Sequence, residues 1–263
     1  MSFKTFIIGA LIAFILNAVC YADDKIVRIA TLGDYAPFCI KTGEENISNQ
    51  IISPGNDISE FKGYCWDVLR ESYHKMGYTI QLTVTPWARA IVNLKSGKAD
   101  ILFPTGKNSE RLKIFNYSEE PTNEANFVIY IKADSDIDWK GLDGLKGLSI
   151  GVKRDFNYGD RWNEAIGILK HNVTNISQGF EMLNINRIDG FLGYEYNWDY
   201  YLKQNKMNGM YKKLASVGST AEYLVTLKTN PNGQALLKAF DVGKRRLIEN
   251  GKLTKIKGTW FGE

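Results

Sequence analysis

Arg111 is the side chain whose sequence surroundings point most directly to ligand chemistry. It ends the segment 105–111 (TGKNSER), which follows a short apolar segment at 100–103. Free backbone amides in such a turn bind anions, and a guanidinium holds a carboxylate through two parallel hydrogen bonds. The segment therefore predicts an anion receptor. An ion pair between Arg111 and Glu110 or Glu119 is the alternative explanation of the same spacing.

Aromatic side chains form a second candidate group, because several follow predicted strands instead of lying in core stripes. Tyr35 and Phe38 (in YAPF) follow the first strand, Trp87 begins a predicted helix, and the segment 156–158 (FNY) follows a later strand. Tyrosine and tryptophan offer flat apolar walls with polar tips, which suit a small planar or aliphatic group. The alternative is that each ring packs only its own loop.

Residues typical of catalytic and metal centres are sparse. The chain has two histidines, His74 beside polar neighbours on a predicted helix and His171 at a predicted helix end, and both are typical of surface positions. No HExxH, GxSxG, phosphate-loop or GxGxxG pattern occurs. The sequence therefore predicts no enzyme, no metal site and no cofactor.

An alternation of strands and helices must position these residues. Strands predicted at 25–32, 79–85 and 100–103 alternate with helices at 64–76 and 86–95. This βαβαβ order is typical of a parallel sheet, and ligands bind such sheets beyond the carboxyl ends of the strands. A second unit has strands predicted at 127–132, 148–152, 190–192 and 223–228, and helices at 161–170, 179–184, 194–205 and 233–250.

The N-terminus has the features of a secretory signal. Lys4 precedes a nearly unbroken apolar run at 6–16, and small residues then lead to Ala22. The run is too short to span a bilayer comfortably, so we expect a signal peptide at 1–22, cleaved after Ala22, and a periplasmic protein. Lipidation of Cys20 is the alternative, but Val19 stands where a lipoprotein signal has a small residue.

The charge of the chain does not favour a nucleic-acid partner. The formal net charge is +4 over 263 residues and is spread along the chain. The densest basic run, 244–246 (KRR), adjoins Glu249 on a predicted helix, which is typical of a solvated helix face. We therefore expect a small-molecule ligand and no nucleic acid.

Two cysteines, Cys39 and Cys65, would remain after cleavage in an oxidising compartment. Two cysteines in an exported chain favour one disulfide, which would close the segment 40–64, a predicted long loop. Two unrelated buried thiols are the alternative. Neither cysteine lies in a CxxC pair, so a redox or zinc site is not expected.

Seven segments, taken in order, give the chain a resemblance to the family 3 solute-binding proteins, the polar amino-acid type of receptor for ABC importers. The match extends over nearly the whole chain after the signal peptide, and the shared order makes it specific. The segments are YAPF at 35, GYCWDVL at 63, PWARAIVNLKSGKADILF at 86, SERLKIFNYSEEP at 109, LKGLSIGVKRDFNYG at 145, MLNINRIDGF at 182 and IKGTWFG at 256.

The resemblance implies an α/β fold of the type II periplasmic binding proteins. Such a protein has two lobes, each a mixed or parallel sheet flanked by helices, and two hinge crossings join them. Carried onto this chain, lobe one is 23–124 plus 222–263 and lobe two is 125–221. The ligand would be enclosed between the lobes.

The resemblance also implies roles for individual residues. Arg111 would pair with the ligand's α-carboxylate, and Thr105 would assist it. Aromatic residues of lobe one would wall the pocket, and a loop of lobe two would complete the carboxylate cradle. The walls are Tyr35, Phe38 and Trp87, and the cradle residues are Phe156, Asn157 and Tyr158.

Tyr194 marks a departure from the family pattern. Amino-acid receptors of this family usually have an acid five positions after the aspartate of the GR-ID segment, where it holds the ligand's ammonium. Five positions after Asp189 stands Tyr194, with Glu195 adjacent, and the resemblance therefore makes Tyr194 the ninth predicted ligand-binding residue. A ligand without an α-ammonium, such as a carboxylate or an aromatic acid, therefore stays open beside an α-amino acid.

By resemblance, the function is capture of a small polar, carboxylate-bearing solute by lobe closure. The partner would be an ABC importer permease in the inner membrane, and the receptor would be a monomer. The alternative is a periplasmic sensor that presents its closed form to a membrane signalling protein. An enzymatic role, as in dehydratase relatives of the fold, would need a cleft-facing acid or base, for which Glu195 and Asp155 are the candidates.

Overall fold

The structure is a computed structural model that describes residues 25–261, so the predicted signal peptide at 1–22 lies outside the described residues. Helices and strands alternate along the chain. The helices are α1 (Tyr64–Lys75), α2 (Trp87–Lys95), α3 (Ser109–Ile114), α4 (Asp160–Glu164), α5 (Ile176–Asn184), α6 (Glu195–Gln204), α7 (Gly233–Glu249) and α8 (Lys252–Phe261), with a 3-10 turn at Leu142–Leu145.

Most of the strands belong to one large mixed sheet. They are β1 (Ile26–Thr31), β2 (Asp34–Tyr35), β3 (Cys39–Lys41), β4 (Gln50–Ile52), β5 (Phe61–Lys62), β6 (Thr79–Val84), β7 (Ile101–Gly106), β8 (Phe115–Tyr117), β9 (Asn123–Lys132), β10 (Ser149–Lys153), β11 (Leu169–Val173), β12 (Gly190–Tyr194), β13 (Tyr211–Lys213) and β14 (Gly218–Leu227). The large sheet has the order β11-β10-β12-β9-β14-β7-β1-β6-β4, and β2, β3 and β5 form a small second sheet.

The two long strands β9 and β14 lie at the centre of this sheet and pair antiparallel from Gly218 opposite Phe127 to Glu222 opposite Asn123. On one side, β14 continues to β7, β1, β6 and β4, which we call the first half-sheet; on the other, β9 continues to β12, β10 and β11, the second half-sheet. The predicted lobe boundaries at 124/125 and 221/222 fall within these strands. The assignment of residues to lobes stays a prediction.

Parallel pairing joins three neighbouring strands in each half-sheet, as the alternating sequence pattern predicts. Strand β1 is parallel to β6 and β7, and β10 is parallel to β11 and β12. Strand β7 is buried along its whole length because helices cover the sheet, and α1 packs on α7 so closely that a Cβ at Gly243 would meet the Ser72 carbonyl at 2.2 Å. The carboxyl ends of β1, β7 and β10 consequently point their following loops toward one region.

The predicted helix at 161–170 is wrong. Only Asp160–Glu164 is helical, and Leu169–Val173 is an edge strand that pairs with β10. Gly167 separates them with φ 82°, in the left-handed region that glycine adopts without strain. Four of the five residues of β11 are exposed, so the sequence has no alternation of apolar residues that would predict a strand there. His171 therefore lies on an exposed strand.

The basic run at 244–246 is not wholly a solvated face. Lys244 is buried and donates to the carbonyl of Pro121 at 2.6 Å, while Arg245 lies 3.4 Å from a carboxylate oxygen of Glu119. The run thus fastens α7 to the segment before β9. Across residues 25–261, no helix has the length and apolar character needed to cross a bilayer.

The predicted long loop at 40–64 contains short strands. Strand β4 pairs antiparallel with β6, and β5 pairs with β3. The segment then enters α1 through Gly63, whose φ is 140° and whose Cβ, if present, would lie 2.2 Å from the Phe38 carbonyl oxygen. This close approach brings the Cys39 and Cys65 backbones together, since the amide of Cys65 donates to the same Phe38 carbonyl at 3.0 Å.

Candidate functional site

A small cavity lies where loops of the first and second half-sheets meet. Its volume is about 10 Å³, which is room for about one water. Six of the nine residues predicted to bind ligand line it. The full lining is Leu32, Tyr35, Trp87, Pro104, Arg111, Phe156, Asn157, Tyr194 and Glu222.

Arg111 lies in the first turn of the short helix α3 instead of in an open loop. The side chain of Asn108 caps this helix by accepting from the Arg111 amide at 2.8 Å. The guanidinium donates through Nη1 to the Gly106 carbonyl at 3.2 Å and through Nη2 to the Asp155 carbonyl at 2.7 Å. Both partners are neutral backbone oxygens.

The alternative ion pairs of Arg111 do not form. Glu110 pairs with Lys113 at 2.5 Å on the exposed side of α3, and Glu119 pairs with Arg245. Within residues 25–261, no carboxylate oxygen lies within 4.0 Å of the Arg111 guanidinium nitrogens. The guanidinium is therefore directed at the cavity and its walls.

The Asp155 carbonyl accepts two hydrogen bonds from the first half of the molecule. Arg111 donates at 2.7 Å, and the indole Nε1 of Trp87 donates at 3.0 Å. Asp155 has φ 60°, an unusual left-handed conformation for a residue other than glycine. Two donors converging on one oxygen form an arrangement that a carboxylate oxygen would also satisfy.

Phe156 occupies the space between the aromatic walls. Its ring centroid lies 5.1 Å from that of Tyr194, 6.2 Å from Tyr35 and 6.3 Å from Trp87. The three neighbours come from β12, β2 and α2, so the phenyl ring joins both halves of the molecule. A solute larger than a water requires the walls of the cavity to move apart, because the cavity holds only about 10 Å³.

Tyr194, at the position where the family usually has an acid, is committed to the protein backbone. Its hydroxyl donates to the Asn157 carbonyl at 2.7 Å, and its ring stacks on Phe127 at a centroid distance of 5.1 Å. Burial raises the pKa of the Tyr194 hydroxyl well above its ordinary value, so the group stays neutral. It supplies a wall and no charge.

Polar contacts close the cleft around the cavity. Lys153, which is 3% exposed, forms an ion pair with Asp34, and Asn197 donates to the Ala36 carbonyl at 2.9 Å. Asn157 donates to the Lys107 carbonyl at 2.9 Å. Burial lowers the pKa of Lys153, and the attraction of Asp34 opposes that shift.

Three predicted ligand residues lie away from the cavity lining. Phe38 packs with Tyr35 at 5.0 Å, and Tyr158 accepts a hydrogen bond from the Lys153 amide at 3.0 Å. Thr105 is buried in β7, and its hydroxyl has no hydrogen-bond partner among the described residues. The contact of each of the nine predicted residues with a ligand stays a prediction.

Glu222 lines the cavity but is not one of the nine residues predicted to bind ligand. It is 3% exposed, and its Oε2 accepts from the Tyr35 hydroxyl at 2.6 Å and from Asn123 Nδ2 at 2.8 Å. Burial raises the pKa of Glu222 to about 7, although these two donors and the charge of Arg111 oppose the shift. The available signal was a lone acid in an otherwise uncharged strand, GSTAEYLVTL.

The predicted disulfide is not formed in the structure, where Cys39 and Cys65 are both free buried thiols. The Cys65 thiol donates to Asn123 Oδ1 at 3.1 Å, and the Thr31 hydroxyl lies 3.9 Å from the Cys39 sulfur. Each sulfur thus has a polar neighbour. Burial, with a smaller contribution from Cys39, raises the pKa of Cys65 well above its usual range.

The two candidate catalytic acids do not face the cavity with a free carboxylate. Glu195 accepts from Asn126 Nδ2 at 2.7 Å and pairs with Lys213 at 2.7 Å, and its pKa is lowered chiefly by that lysine. Asp155 contributes its backbone carbonyl. Across residues 25–261, no group of three or more His, Cys, Asp or Glu side chains could hold a metal ion.

A wider groove opens beside the cavity and shares Trp87 with it. Its volume is about 920 Å³, and Arg89 is one of its exposed walls. Basic residues dominate its charged lining, since Asp34 is the one acid there within the described residues. The charged lining is Asp34, Lys41, Arg89, Lys153 and Arg154.

Comparison with known proteins gives similarity in sequence and in fold. The L-cystine-binding protein TcyA of Bacillus subtilis (strain 168) is 22% identical over 239 residues, which are 90% of this chain and 82% of TcyA. The arginine-, lysine-, histidine-binding protein ArtJ of Geobacillus stearothermophilus superposes with a TM-score of 0.73 at 20% identity, covering 91% of this chain and 96% of ArtJ.

A histidine kinase sensor domain with similarity to periplasmic binding proteins gives a TM-score of 0.75 at 18% identity, covering 91% of this chain and 97% of the domain. These likenesses confirm the predicted two-lobed periplasmic-binding-protein fold. The profile of the bacterial extracellular solute-binding proteins, family 3, matches residues 27–263 and confirms the resemblance of the seven segments. The chain belongs to the bacterial extracellular solute-binding proteins, family 3, and is a solute-binding protein, not an enzyme.

Proposed function

We propose that the protein captures a small polar, carboxylate-bearing solute, an amino acid or a related compound, and delivers it to an ABC importer permease in the inner membrane. The observation that carries the proposal is the position of Arg111 in the cavity wall, with two guanidinium nitrogens on backbone oxygens and, among residues 25–261, no acid within 4.0 Å of them. A carboxylate displacing the Asp155 carbonyl would gain charge-assisted hydrogen bonds in its place. Binding would then exchange a neutral oxygen for an anionic one.

The relatives support the ligand class. TcyA is named for L-cystine, and ArtJ for arginine, lysine and histidine, all of which carry a carboxylate. The aromatic neighbours Tyr35, Trp87 and Tyr194 would wall the remainder of the solute once Phe156 moves aside. Asn157 would contribute to the carboxylate cradle from the second half-sheet. Phe38, Thr105 and Tyr158 lie outside the cavity lining and would contact the solute only after the lining residues rearrange.

The proposal includes the predicted location and organisation of the chain. The signal peptide would be removed near Ala22, and the mature receptor would act in the periplasm as a monomer. Lobe one (23–124 plus 222–263) and lobe two (125–221) would close on the solute by bending at the two crossings, so that only the closed form makes the full set of contacts.

The test begins with protein purified from the periplasm, whose intact mass gives the cleavage site. A thermal-shift panel of amino acids, organic acids, sugars and polyamines identifies ligands, because binding to the folded state raises the midpoint. Uptake of the labelled hit is then compared in cells with and without the gene. Binding by carboxylates with gene-dependent uptake supports the proposal.

Two results would contradict the proposal in different ways. A response confined to sugars or polyamines would refute the carboxylate ligand. Binding of a carboxylate without gene-dependent uptake would refute transport and favour the periplasmic sensor.

A further inference from the structure

We infer that Glu222 is the acid that recognises the ligand, and that the ligand carries a protonated amine held by Glu222 while Arg111 holds its carboxylate. This inference rests on the proposed function and narrows its ligand class from carboxylates to amino carboxylates. The acid would come from the central strand β14, which we propose as one of the hinge crossings. It would replace the acid that the family usually has at the position of Tyr194.

Glu222 is a buried acid in the cavity wall without a cationic partner. It is 3% exposed, and within residues 25–261 no lysine, arginine or histidine nitrogen forms an ion pair with it. An unpaired buried carboxylate is costly, and such groups ordinarily have a counter-ion. The cavity that it lines is where a counter-ion from outside the chain would arrive.

The surroundings of Glu222 fix its position. The Asn123 amide cannot rotate freely, because its Oδ1 accepts from the Thr122 hydroxyl at 3.0 Å and from the Cys65 thiol at 3.1 Å. Its Nδ2 is therefore directed at Glu222 Oε2, which the Tyr35 hydroxyl also reaches. Both hydrogen bonds go to Oε2, so Oε1 takes neither. This is a supported carboxylate with one oxygen left for a further donor.

The opposite charges of the cavity form no ion pair with each other, although the charge of Arg111 favours the ionised form of Glu222. Arg111 is occupied by the Gly106 and Asp155 carbonyls, while Glu222 is held by Tyr35 and Asn123. A cavity with a separate cation and a separate anion in its wall is complementary to a zwitterion. The Tyr194 hydroxyl donates to Asn157 and cannot replace the acid.

The raised pKa of Glu222 supports the same inference. The ionisable groups that act on it are Arg111 from α3, Tyr35 from β2, Tyr194 before α6 and Cys65 from α1, and burial is the largest cause of its raised pKa. An ammonium beside the carboxylate would favour ionisation and return the pKa toward its ordinary value.

The first experiment compares amino acids with their desamino analogues by titration calorimetry at pH 7.5. The pairs are L-phenylalanine and 3-phenylpropanoate, L-arginine and 5-guanidinopentanoate, L-glutamine and 5-amino-5-oxopentanoate, and L-cystine and 3,3′-dithiodipropanoate. The variants are wild type, Glu222→Gln and the matched control Glu124→Gln, whose exposed glutamate lies on β9. We expect wild type and Glu124→Gln to bind one amino acid at least 100-fold more tightly than its analogue.

Glu222→Gln should reduce that preference to less than about tenfold, mainly by lowering the affinity for the amino acid. An undiminished preference in a folded Glu222→Gln protein, or equal affinity for both members of a pair in wild type, would overturn the inference but leave the proposed function intact. Failure of wild type to bind either member of any pair, together with a thermal-shift response confined to sugars or polyamines, would contradict both.

A second measurement needs no variant and covers the case in which Glu222→Gln does not fold. Calorimetry of wild type at pH 6.5, in buffers of different ionisation enthalpy, counts the protons released on binding. With the pKa of Glu222 at about 7, the amino acid should release about 0.7 proton and its desamino analogue none. The titration is repeated at pH 5.5 and pH 5, and no proton release with the amino acid at any of the three pH values would overturn the inference.

Discussion

Arg111 Nη2 donates to the backbone carbonyl of Asp155 at 2.7 Å, so the guanidinium proposed to hold a ligand also links the two half-sheets. A solute carboxylate and the Asp155 carbonyl would therefore compete for the same donor. The Trp87 indole also donates to this oxygen, at 3.0 Å, and lines the cavity, so it too serves both the contact between the half-sheets and the proposed ligand site. Closure of the molecule and recognition of the solute depend on one set of groups.

Arg111→Ala should abolish binding of the carboxylate identified in the ligand panel, with a loss of at least 100-fold in affinity. The free energy of unfolding should change by less than about 1 kcal/mol, because the side chain is only partly buried. Arg111→Lys should recover part of the affinity, since an ammonium lacks the bidentate geometry. Titration calorimetry and urea unfolding measure both quantities.

Arg161→Ala, an exposed arginine on α4, is the control for loss of positive charge. Its affinity should match that of wild type. Preserved affinity in Arg111→Ala would refute the assignment of the carboxylate subsite.

Glu222 should make the protein less stable as the pH rises from 4.5 to 7. Its pKa is raised from 4.5 to about 7 in the folded state, so the folded state binds more protons than the unfolded state in this window. The stabilising contribution of this group is therefore fully present below about pH 4.5 and declines by roughly 3 kcal/mol by pH 8. Glu222→Gln should remove the decline.

Urea unfolding at pH 5 and pH 8 checks this dependence, with Glu124→Gln as the control that keeps it. The informative quantity is the difference between variants, since other groups titrate equally in both. A wild-type decline that persists unchanged in Glu222→Gln would show that another group causes it.

Asp34→Asn should weaken closure by removing the acid partner of the buried Lys153. Because Asp34 is 48% exposed, the pair contributes on the order of 1 kcal/mol, which corresponds to about a fivefold loss of ligand affinity. Small-angle scattering should show a larger radius of gyration than for wild type. Adding Lys153→Met to Asp34→Asn should restore closure, since the uncompensated ammonium is then gone.

Identical scattering and affinity for Asp34→Asn and wild type would mean that the ion pair does not stabilise the closed form. A double variant no better than Asp34→Asn would instead assign the effect to Asp34 alone.

Gly106→Ala should hinder closure without removing a polar group of the cavity. A Cβ at this position would lie 2.6 Å from Asn157 Nδ2 and 2.8 Å from Thr220 Cγ2, so the two halves could not approach as they do. The expected cost is about 1–3 kcal/mol in the closed form, or roughly 5- to 150-fold in affinity. Calorimetry and scattering should report the effect together.

Gly218→Ala is the matched control, because its Cβ would meet Phe127 at an ordinary 3.7 Å. Wild-type affinity in Gly106→Ala would show that β7 and the loop containing Asn157 lie further apart in the ligand-bound form.

The sequence predicted the parallel units well because their strands and helices bury regular apolar stripes. The expected helices at 64–76 and 86–95 end within two residues of α1 and α2, and glycines follow both. The helix expected at 161–170 failed because edge pairing with β10 decides the structure of β11, whose exposed side chains carry no apolar pattern. Pairing between distant strands has no local signature.

The candidate site was predictable where a residue follows a strand of its own unit. Tyr35, Trp87, Arg111 and Phe156 meet these conditions, and all line the cavity. Glu222 escaped because it enters the cavity from β14, a strand that returns from a distant part of the chain. Its opposite neighbour Asn123 is 99 residues earlier, and nothing local to either residue indicates the contact.

The pairing of Glu222 with Asn123 on the central strands β9 and β14, which we propose as the hinge crossings, has a kinetic consequence. Groups near a rotation axis move little when two bodies rotate about it, whereas loops far from the axis move a great deal. Glu222 would thus be in position before closure, whereas Phe156 and Asn157, which follow Asp155, would reach the solute only afterwards. Substitutions at the crossing should then alter the rate of association, while substitutions at the Asp155 loop should alter the residence time.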